Sequence, residues 1–476
     1  MTNEERKEFY MNRNIKIYPT YLAFVWDLLF VWTISTMFFT NQKGLTYSQV
    51  ISLDTVLMFS ACIMCIPVTK LFSKFTPIKA LRIGCLGYIV ALLIWIFGSG
   101  YFMIALSQVF IGFAYCVLSV KGNPLLTDSL HAVKRDKDYG RIYGKGLSIF
   151  YVLEAVGAVG VTFVYTFNPY LAIWIAMGIV VVAELMSFLF VEPAKFQKQN
   201  VELSSASTQT KTEETAPKKK EIQIKTSKLK QLFNDAKKEQ TDSVKDKKQT
   251  DSYFKILSSG FVISLLLYSF MFRGVVAIDT GSFKIYLQML LPSEGNTGII
   301  PIWAFGCIYG IMKVCVALSN KFQFKYNLKF GVRSLIIFNF LLIASFIINA
   351  VMFIISPTSI ITIVVIIISS CIQCSLRTPN QIFINNYIQV CLPNKNLEKL
   401  YALNTMIQYL GYALMSAVFS GLMSAFSNNY GLSIITYMAI FTIPLIISLI
   451  VFLRLLCKKY ASKYTIIKQE YVEDEF

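Results

Sequence analysis

The chain has 476 residues, of which 55% are hydrophobic and only 15% are charged; its mean hydropathy is +0.56. Soluble domains carry about 25% charged residues, so this composition excludes an ordinary soluble protein and indicates a protein of the lipid bilayer. The formal net charge of +18 does not indicate a nucleic-acid partner, because no basic stripe with interleaved aromatic residues accompanies it.

Twelve apolar segments, most of them long enough to cross a bilayer at 1.5 Å per residue, follow one another along the chain. In the first half they cover residues 17–39, 50–68, 81–98, 102–126, 143–166 and 170–191. In the second half they cover residues 254–284, 299–318, 330–355, 359–384, 400–426 and 432–455. The sequence therefore predicts an all-α membrane protein whose twelve transmembrane helices form two six-helix bundles.

A polar segment, residues 193–252, separates the two halves and is almost free of apolar runs. Such a segment buries too little surface to offset its ordering entropy, so we expect a solvated linker. An alternative for residues 221–238 is a short amphipathic helix on anionic lipid. The expected division is an N-terminal bundle at 1–192, the linker at 193–252, a C-terminal bundle at 253–457 and a tail at 458–476.

Basic residues gather on one side of the predicted spans. They precede span 1, follow each even-numbered span and fill the linker; those outside the linker are Arg13, Lys16, Lys70, Lys74, Lys79, Arg82, Lys134, Arg135, Lys137, Lys321, Lys325, Lys329, Lys395, Lys399, Arg454, Lys458 and Lys459. In the alternate loops Lys43 is the one clear exception. Because basic loops stay in the cytoplasm, the N-terminus, the linker and the C-terminus are expected to be cytoplasmic.

The ten cysteines include two pairs with CxxC spacing, Cys62 with Cys65 and Cys371 with Cys374. In a soluble protein this spacing suggests a metal or redox site. Here both pairs lie inside predicted spans without a nearby histidine, since the only one is His131, so we interpret them as small core residues and expect no metal and no cofactor. No GxxxxGK[ST] loop is present, so ATP hydrolysis is not expected and the chain is not predicted to be an enzyme.

Several short stretches carry a family resemblance. After span 2, Lys74 and Lys79 occupy basic positions of a conserved Gly-and-base pattern, although its glycines and acid are replaced here; in span 4, Gln108 stands where many members have Arg. Further matching stretches are Trp26-Asp27, Asp128 with Gly140-Arg141 and Gly144, and Glu192-Pro193. With the six-plus-six pattern and the long central loop, the chain resembles the major facilitator superfamily, and in particular bacterial members that are poorly characterised.

The resemblance covers essentially the whole chain. It implies a monomeric, multi-pass transporter of the cell membrane whose partners are lipid, a small-molecule substrate and protons. It also implies alternating access, in which the two halves rock around a central site lined by spans 1, 4, 7 and 10.

Ionisable residues inside spans cost about 2.5–3.5 kcal/mol on insertion scales, so each is a functional candidate. Asp27, near the middle of span 1, is the first candidate for a protonatable coupling group or a substrate contact. The other substrate or coupling candidates are Glu154, Arg273, Asp279, Lys313 and Arg377. Lys74, Lys121, Asp128 and Arg141 are candidates for a cytoplasmic gate.

Acids predominate in the first half and bases in the second, which suits a substrate with both charges or an anion that moves with a proton. The first hypothesis is proton-coupled efflux of a small amphipathic or drug-like compound by a secondary transporter. The second is proton-coupled uptake of a zwitterionic or anionic nutrient such as an amino acid, peptide, sugar or organic acid. An alternative of another class is a non-transporting membrane sensor or assembly factor.

Overall fold

The computed structural model describes residues 3–71, 75–135, 138–192, 257–290, 301–330, 333–356, 359–391, 397–427 and 429–473. The predicted linker, with its alternative helix at 221–238, and the gate candidate Lys74 lie outside these ranges. Within them the regular structure is helical: α1 Asn3–Val25, α2 Val31–Met37, α3 Tyr47–Leu71, α4 Pro77–Phe97, α5 Gly100–Ala132, α6 Tyr139–Phe167, α7 Pro169–Ser187, α8 Gly260–Met289, α9 Ile302–Phe330, α10 Arg333–Ile355, α11 Ile360–Cys391, α12 Leu397–Ala425 and α13 Tyr430–Glu473. A π-helical turn, Phe38–Gln42, continues α2 directly.

Ten helices of the described ranges, α3 to α7 and α9 to α13, are long and apolar enough to cross a membrane. The first part of α8, Gly260–Val276, is a shorter apolar helix. Outward-facing apolar side chains on these helices are strongly exposed; Phe340 and Ile354, for example, are each 70% exposed. Such apolar outer faces fit contact with lipid rather than water, so the chain is an integral membrane protein.

The first predicted span is not one continuous helix. The chain leaves helical geometry between α1 and α2, where Phe30 has a φ of +69°, a conformation that is unfavourable for a bulky residue. The ring of Phe30 packs against Gly157 of α6, at a place where any side-chain carbon would overlap it. The absence of a side chain at Gly157 therefore makes room for the interruption.

The helices before the linker (α1–α7, the N-terminal group) pack against those after it (α8–α13, the C-terminal group) along a few helix pairs. The principal contacts are α6 with α9 and α3 with α12, and α8 also touches α2 and α3. At the α6–α9 contact, Gly306 lies against Ala158 and Thr162 so closely that a side-chain carbon would overlap Thr162. Small residues of this kind let membrane helices approach closely.

Some helices extend beyond the predicted spans. Helix α5 continues to Ala132 and α13 to Glu473. Helix α8 continues to Met289, so Lys284, which stood at the end of a predicted span, lies more than a turn inside the helix. This extension carries the Lys284 side chain into the contact with the N-terminal group.

Candidate functional site

Asp27 lies in the interruption between α1 and α2 and accepts three hydrogen bonds on one carboxylate oxygen. Its Oδ1 accepts from the backbone N–H of Leu28 at 2.7 Å and from the indole Nε1 of Trp32 at 2.6 Å. The hydroxyl of Tyr115, on α5, donates to the same oxygen. The carboxylate thus ties the break to α2 and to α5, and in the described part of the chain its Oδ2 is left for a proton or a ligand.

A buried ion pair joins the two groups of helices. Glu154 of α6 is 1% exposed, and its Oε1 lies 3.4 Å from Nζ of Lys313 on α9. The Lys313 ammonium also lies 4.9 Å from the ring centre of Tyr309 and 5.9 Å from that of Tyr151. Both members of this pair were predicted site residues, and the close α6–α9 packing brings them together.

Lys284 of α8 is a second buried cation beside this pair. It is 7% exposed, and its Nζ lies 5.1 Å from the ring centre of Tyr309 and 5.9 Å from that of Trp32. No carboxylate of the described residues lies within 4 Å of it, but Asp54 of α3 and Glu154 act on it electrostatically. Asp54 also interacts electrostatically with Arg377, a predicted site residue on α11.

A cavity opens between α2, α3, α5 and α8 next to Lys284. It is lined by Trp32, Ser35, Thr36, Phe39, Val50, Ile51, Leu53, Asp54, Gln108, Lys284 and Ile285. Gln108 is 1% exposed, and neither atom of its amide has a hydrogen-bond partner among the described residues. The cavity thus combines one acid, one base and one unpaired amide with an apolar wall.

The remaining predicted site residues lie elsewhere or beyond the described side chains. Arg273 of α8 lies over the ring of Tyr412 on α12, with its guanidinium carbon 5.4 Å from the ring centre. Asp128 is exposed on α5. Lys121, Arg141 and Asp279 lie within α5, α6 and α8, but their side chains are outside the described structure, as is all of Lys74.

Three site residues were not predicted from the sequence. Asp54 is an acid four residues into a predicted span, so its insertion cost was an available signal. Lys284 is the last residue of the predicted span 254–284, and hydropathy alone did not indicate that the helix continues beyond it. The sequence distinguishes Gln108 only because many family members have a basic residue at that position. An uncharged amide does not by itself indicate a functional site.

A model of the Major Facilitator Superfamily matches residues 17–416. That match covers most of the chain, including Asp27, Asp54, Glu154, Lys284 and Lys313 and the cavity that Asp54 and Lys284 line. The chain belongs to the major facilitator superfamily. The resemblance predicted from the sequence is thereby confirmed, and the protein is a transporter rather than an enzyme.

Solved structures share the transporter's fold. The crystal structure of the nucleoside transporter NupG is similar with a TM-score of 0.61 and 12% identity, over 95% of this chain and 99% of that chain. A mutant form of NupG gives a TM-score of 0.64 at 11% identity, over 92% and 99% of the two chains. Identities this low show a common fold alone. A search of curated proteins found no match.

Proposed function

We propose that the transporter has twelve spans in two bundles of six, in the cell membrane. The interrupted pair α1 and α2 forms the first span, α8 forms the seventh, and the ten long apolar helices form the others. The N-terminus, the segment 193–252 and the C-terminus are cytoplasmic, because basic residues gather at that face. The bundles are residues 1–192 and 253–457, with a tail at 458–476.

Lys43, the exception to that distribution, has a local role that explains its position. Its ammonium donates to the carbonyl oxygens of Gly98 at 2.7 Å and Ile96 at 3.2 Å, where α4 ends. Helix C-termini attract cations because their last carbonyls lack helical partners. Partial burial lowers the pKa of Lys43 from its ordinary value. The residue therefore caps a helix and does not argue against the proposed orientation.

The function that the site supports best is proton-coupled secondary transport by alternating access. The observation that carries this proposal is a set of five charged side chains that interact electrostatically, Asp27, Asp54, Glu154, Lys284 and Lys313; Glu154 and Lys284 are buried and the other three are partly buried. A non-transporting scaffold gains nothing from charges in that position, and their burial is costly. A transporter requires groups there that exchange partners during its cycle.

Two carboxylates are suited to carry the proton. Protonation of Asp27 would weaken its hold on Trp32 and Tyr115, which belong to two different helices. Protonation of Glu154 would release Lys313 and so loosen the contact between α6 and α9. Either event couples a proton to a contact between helices, α2 with α5 through Asp27 and α6 with α9 through Glu154.

For the substrate, we rank a small polar molecule with charge above a lipophilic one, because acid, base and amide groups line the same cavity. This ranking favours a zwitterionic or anionic nutrient as the substrate. Efflux of a small amphipathic compound remains the second candidate, favoured by the apolar wall that Phe39, Val50 and Ile51 provide. Nucleosides belong in any test panel because NupG, which shares the fold, is a nucleoside transporter.

The test is substrate-evoked proton flux in proteoliposomes that contain the purified transporter and a pH-sensitive dye. Amino acids, dipeptides, sugars, organic acids, nucleosides and toxic amphipathic compounds are added in turn under a pH gradient. We expect at least one to evoke flux, Asp27→Asn to abolish it without loss of membrane insertion, and the exposed-residue control Glu8→Gln to retain it. Unaltered flux in Asp27→Asn would exclude Asp27 as the coupling group.

The same experiment separates the alternatives. If no compound evokes flux, the non-transporting sensor is favoured over the transporter. The direction is tested in cells with and without the protein: greater uptake of the active nutrient supports import, and faster growth in a toxic active compound supports export.

A further inference from the structure

The cavity between α2, α3, α5 and α8 places opposite charges on facing helices. Asp54 projects from α3 of the N-terminal group and Lys284 from α8 of the C-terminal group, and both line the cavity. Attraction acts between them, yet no ion pair within 4 Å forms between them. Both charged groups therefore face the cavity without direct contact with each other.

Lys284 has no carboxylate of the described residues within 4 Å, although Asp54, Glu154 and Asp27 attract its charge from farther away. Its described contacts are two aromatic rings, Tyr309 and Trp32, at 5.1 and 5.9 Å. The attraction of a ring face for a cation is weaker than the penalty that burial imposes on an ammonium group. The neighbouring cation Lys313 is already paired with Glu154 at 3.4 Å, so Lys284 is the ammonium left to bind an anionic group.

Gln108 gives an independent sign of a ligand. Its side chain is 1% exposed and lines the same cavity, but both its oxygen and its nitrogen lack hydrogen-bond partners within the described structure. A buried polar group without a partner is unfavourable, because it has lost its hydrogen bonds to water. An amide can both donate and accept, so it can serve either end of a ligand with two polar groups.

We propose that this cavity binds a small zwitterion, with its carboxylate on Lys284, its ammonium group on Asp54 and Gln108 hydrogen-bonded to either end. A compound with a carboxylate alone would place a second negative charge beside Asp54, and one with an ammonium alone would place a second cation beside Lys284. A zwitterion satisfies both without adding net charge to a buried site. Phe39, Val50 and Ile51 of the same cavity offer an apolar surface to the rest of such a ligand. This proposal rests on the proposed transport function.

The experiment measures ligand selectivity of the purified full-length transporter through its tryptophan fluorescence. The probes are free amino acids and dipeptides, each with its N-acetyl derivative, which keeps only the carboxylate, and its methyl ester, which keeps only the ammonium. We expect at least one zwitterion to bind, and both derivatives of that compound to bind at least tenfold more weakly.

Two variants test whether Lys284 binds the carboxylate of the ligand and whether Asp54 binds its ammonium group. In Lys284→Met the preference for the free acid over the ester should disappear, and in Asp54→Asn the preference for the free amine over the N-acetyl form should disappear. The exposed-residue controls Lys145→Met and Glu8→Gln should keep both preferences. Because each readout is a ratio within one variant, a moderate loss of stability does not imitate it.

The outcomes distinguish the proposed zwitterion site from the proposed transport function on which it rests. If an N-acetyl or ester derivative binds as tightly as its parent, or if no free amino acid or dipeptide binds, the zwitterion site is wrong. Proton flux evoked only by organic anions, nucleosides or toxic amphipathic compounds would leave secondary transport standing and overturn the zwitterion. Absence of flux with every compound would instead overturn the transport function.

Discussion

At the scale of single residues, Asp27 owes its position to the interruption of a helix. On a regular helix the backbone N–H groups bond to the preceding turn, whereas next to the break the N–H of Leu28 is free to donate to the carboxylate at 2.7 Å. The carboxylate also lies at the N-terminal side of α2, where the helix dipole favours negative charge. The break thus supplies the stabilisation that lipid cannot, and our proposal is that the carboxylate exchanges a proton there.

The Glu154–Lys313 ion pair should contribute to the stability of the folded transporter. Removing one partner of a buried ion pair leaves the other charge uncompensated and costs about 3–5 kcal/mol, whereas replacing both is far less harmful. We expect Glu154→Gln and Lys313→Met each to lower the thermal unfolding midpoint of the purified transporter, and the double variant to recover most of that loss.

Thermal unfolding of the four proteins in one detergent measures this coupling. The surface pair of Arg135 and Asp138, 2.7 Å apart, provides a matched control, because exposed pairs contribute only about 0–1 kcal/mol. Additive effects of Glu154→Gln and Lys313→Met would contradict the importance of the pair.

Single charged residues could be predicted from the sequence to the extent that they interrupt an apolar span. Insertion cost identified Asp27, Glu154 and Lys313, which the structure brings to one region, and Arg377, which acts on Asp54. The partners of each charge could not be predicted, because they come from helices far apart in the chain. Arg273, another candidate from the sequence, has its described ring contact with Tyr412.

At the scale of helices, the interruption of the first span has no local signature. Residues 26–30 contain neither proline nor glycine, and Asp27 is the one charged residue among them. Its cause lies in another helix, because Gly157 of α6 leaves the space that the ring of Phe30 fills. The hydropathy of the first segment alone therefore predicts a span but not the interruption within it.

That dependence predicts different outcomes for two glycines one turn apart on α6. A side-chain carbon at Gly157 would overlap Phe30, whereas one at Gly160 meets nothing within 4 Å in the described structure. Gly157→Ala should displace Phe30, shift Asp27 and reduce substrate-evoked proton flux at least tenfold, while Gly160→Ala should retain it. Adding Phe30→Ala to Gly157→Ala should restore part of the flux.

Proton flux at equal amounts of reconstituted protein decides between the outcomes. If Gly157→Ala transports as well as Gly160→Ala does, the break does not position Asp27 as described.

At the scale of the whole molecule, the arrangement of the chain was largely predictable while its internal contacts were not. Long apolar segments and the polar gap at 193–252 predicted an all-α membrane protein of this superfamily, since the bilayer limits spanning elements to a few lengths. The contacts between the N-terminal and C-terminal groups depend on individual small and polar residues, such as Gly306 and Ser420, that no hydropathy pattern distinguishes from packing.

Two polar contacts tie the groups together where α2 and its π-helical turn end and α3 begins. Ser48 of α3 donates to the carbonyl oxygen of Ser420 on α12 at 3.0 Å, and Ser420 donates to that of Ser48 at 2.8 Å. Gln288 of α8 donates to Thr40 nearby. Under alternating access these contacts form in one state of the cycle and separate in the other.

The most direct measurement of alternating access is therefore a reversible lock between Ser48 and Ser420, whose hydroxyl oxygens lie 3.2 Å apart. In the double variant Ser48→Cys and Ser420→Cys, oxidation should form a disulfide that mass spectrometry of peptides confirms. We predict that oxidation stops substrate-evoked proton flux, that reduction restores it, and that the single Ser48→Cys variant is unaffected. Full flux in the completely cross-linked protein would contradict transport by separation of the two groups.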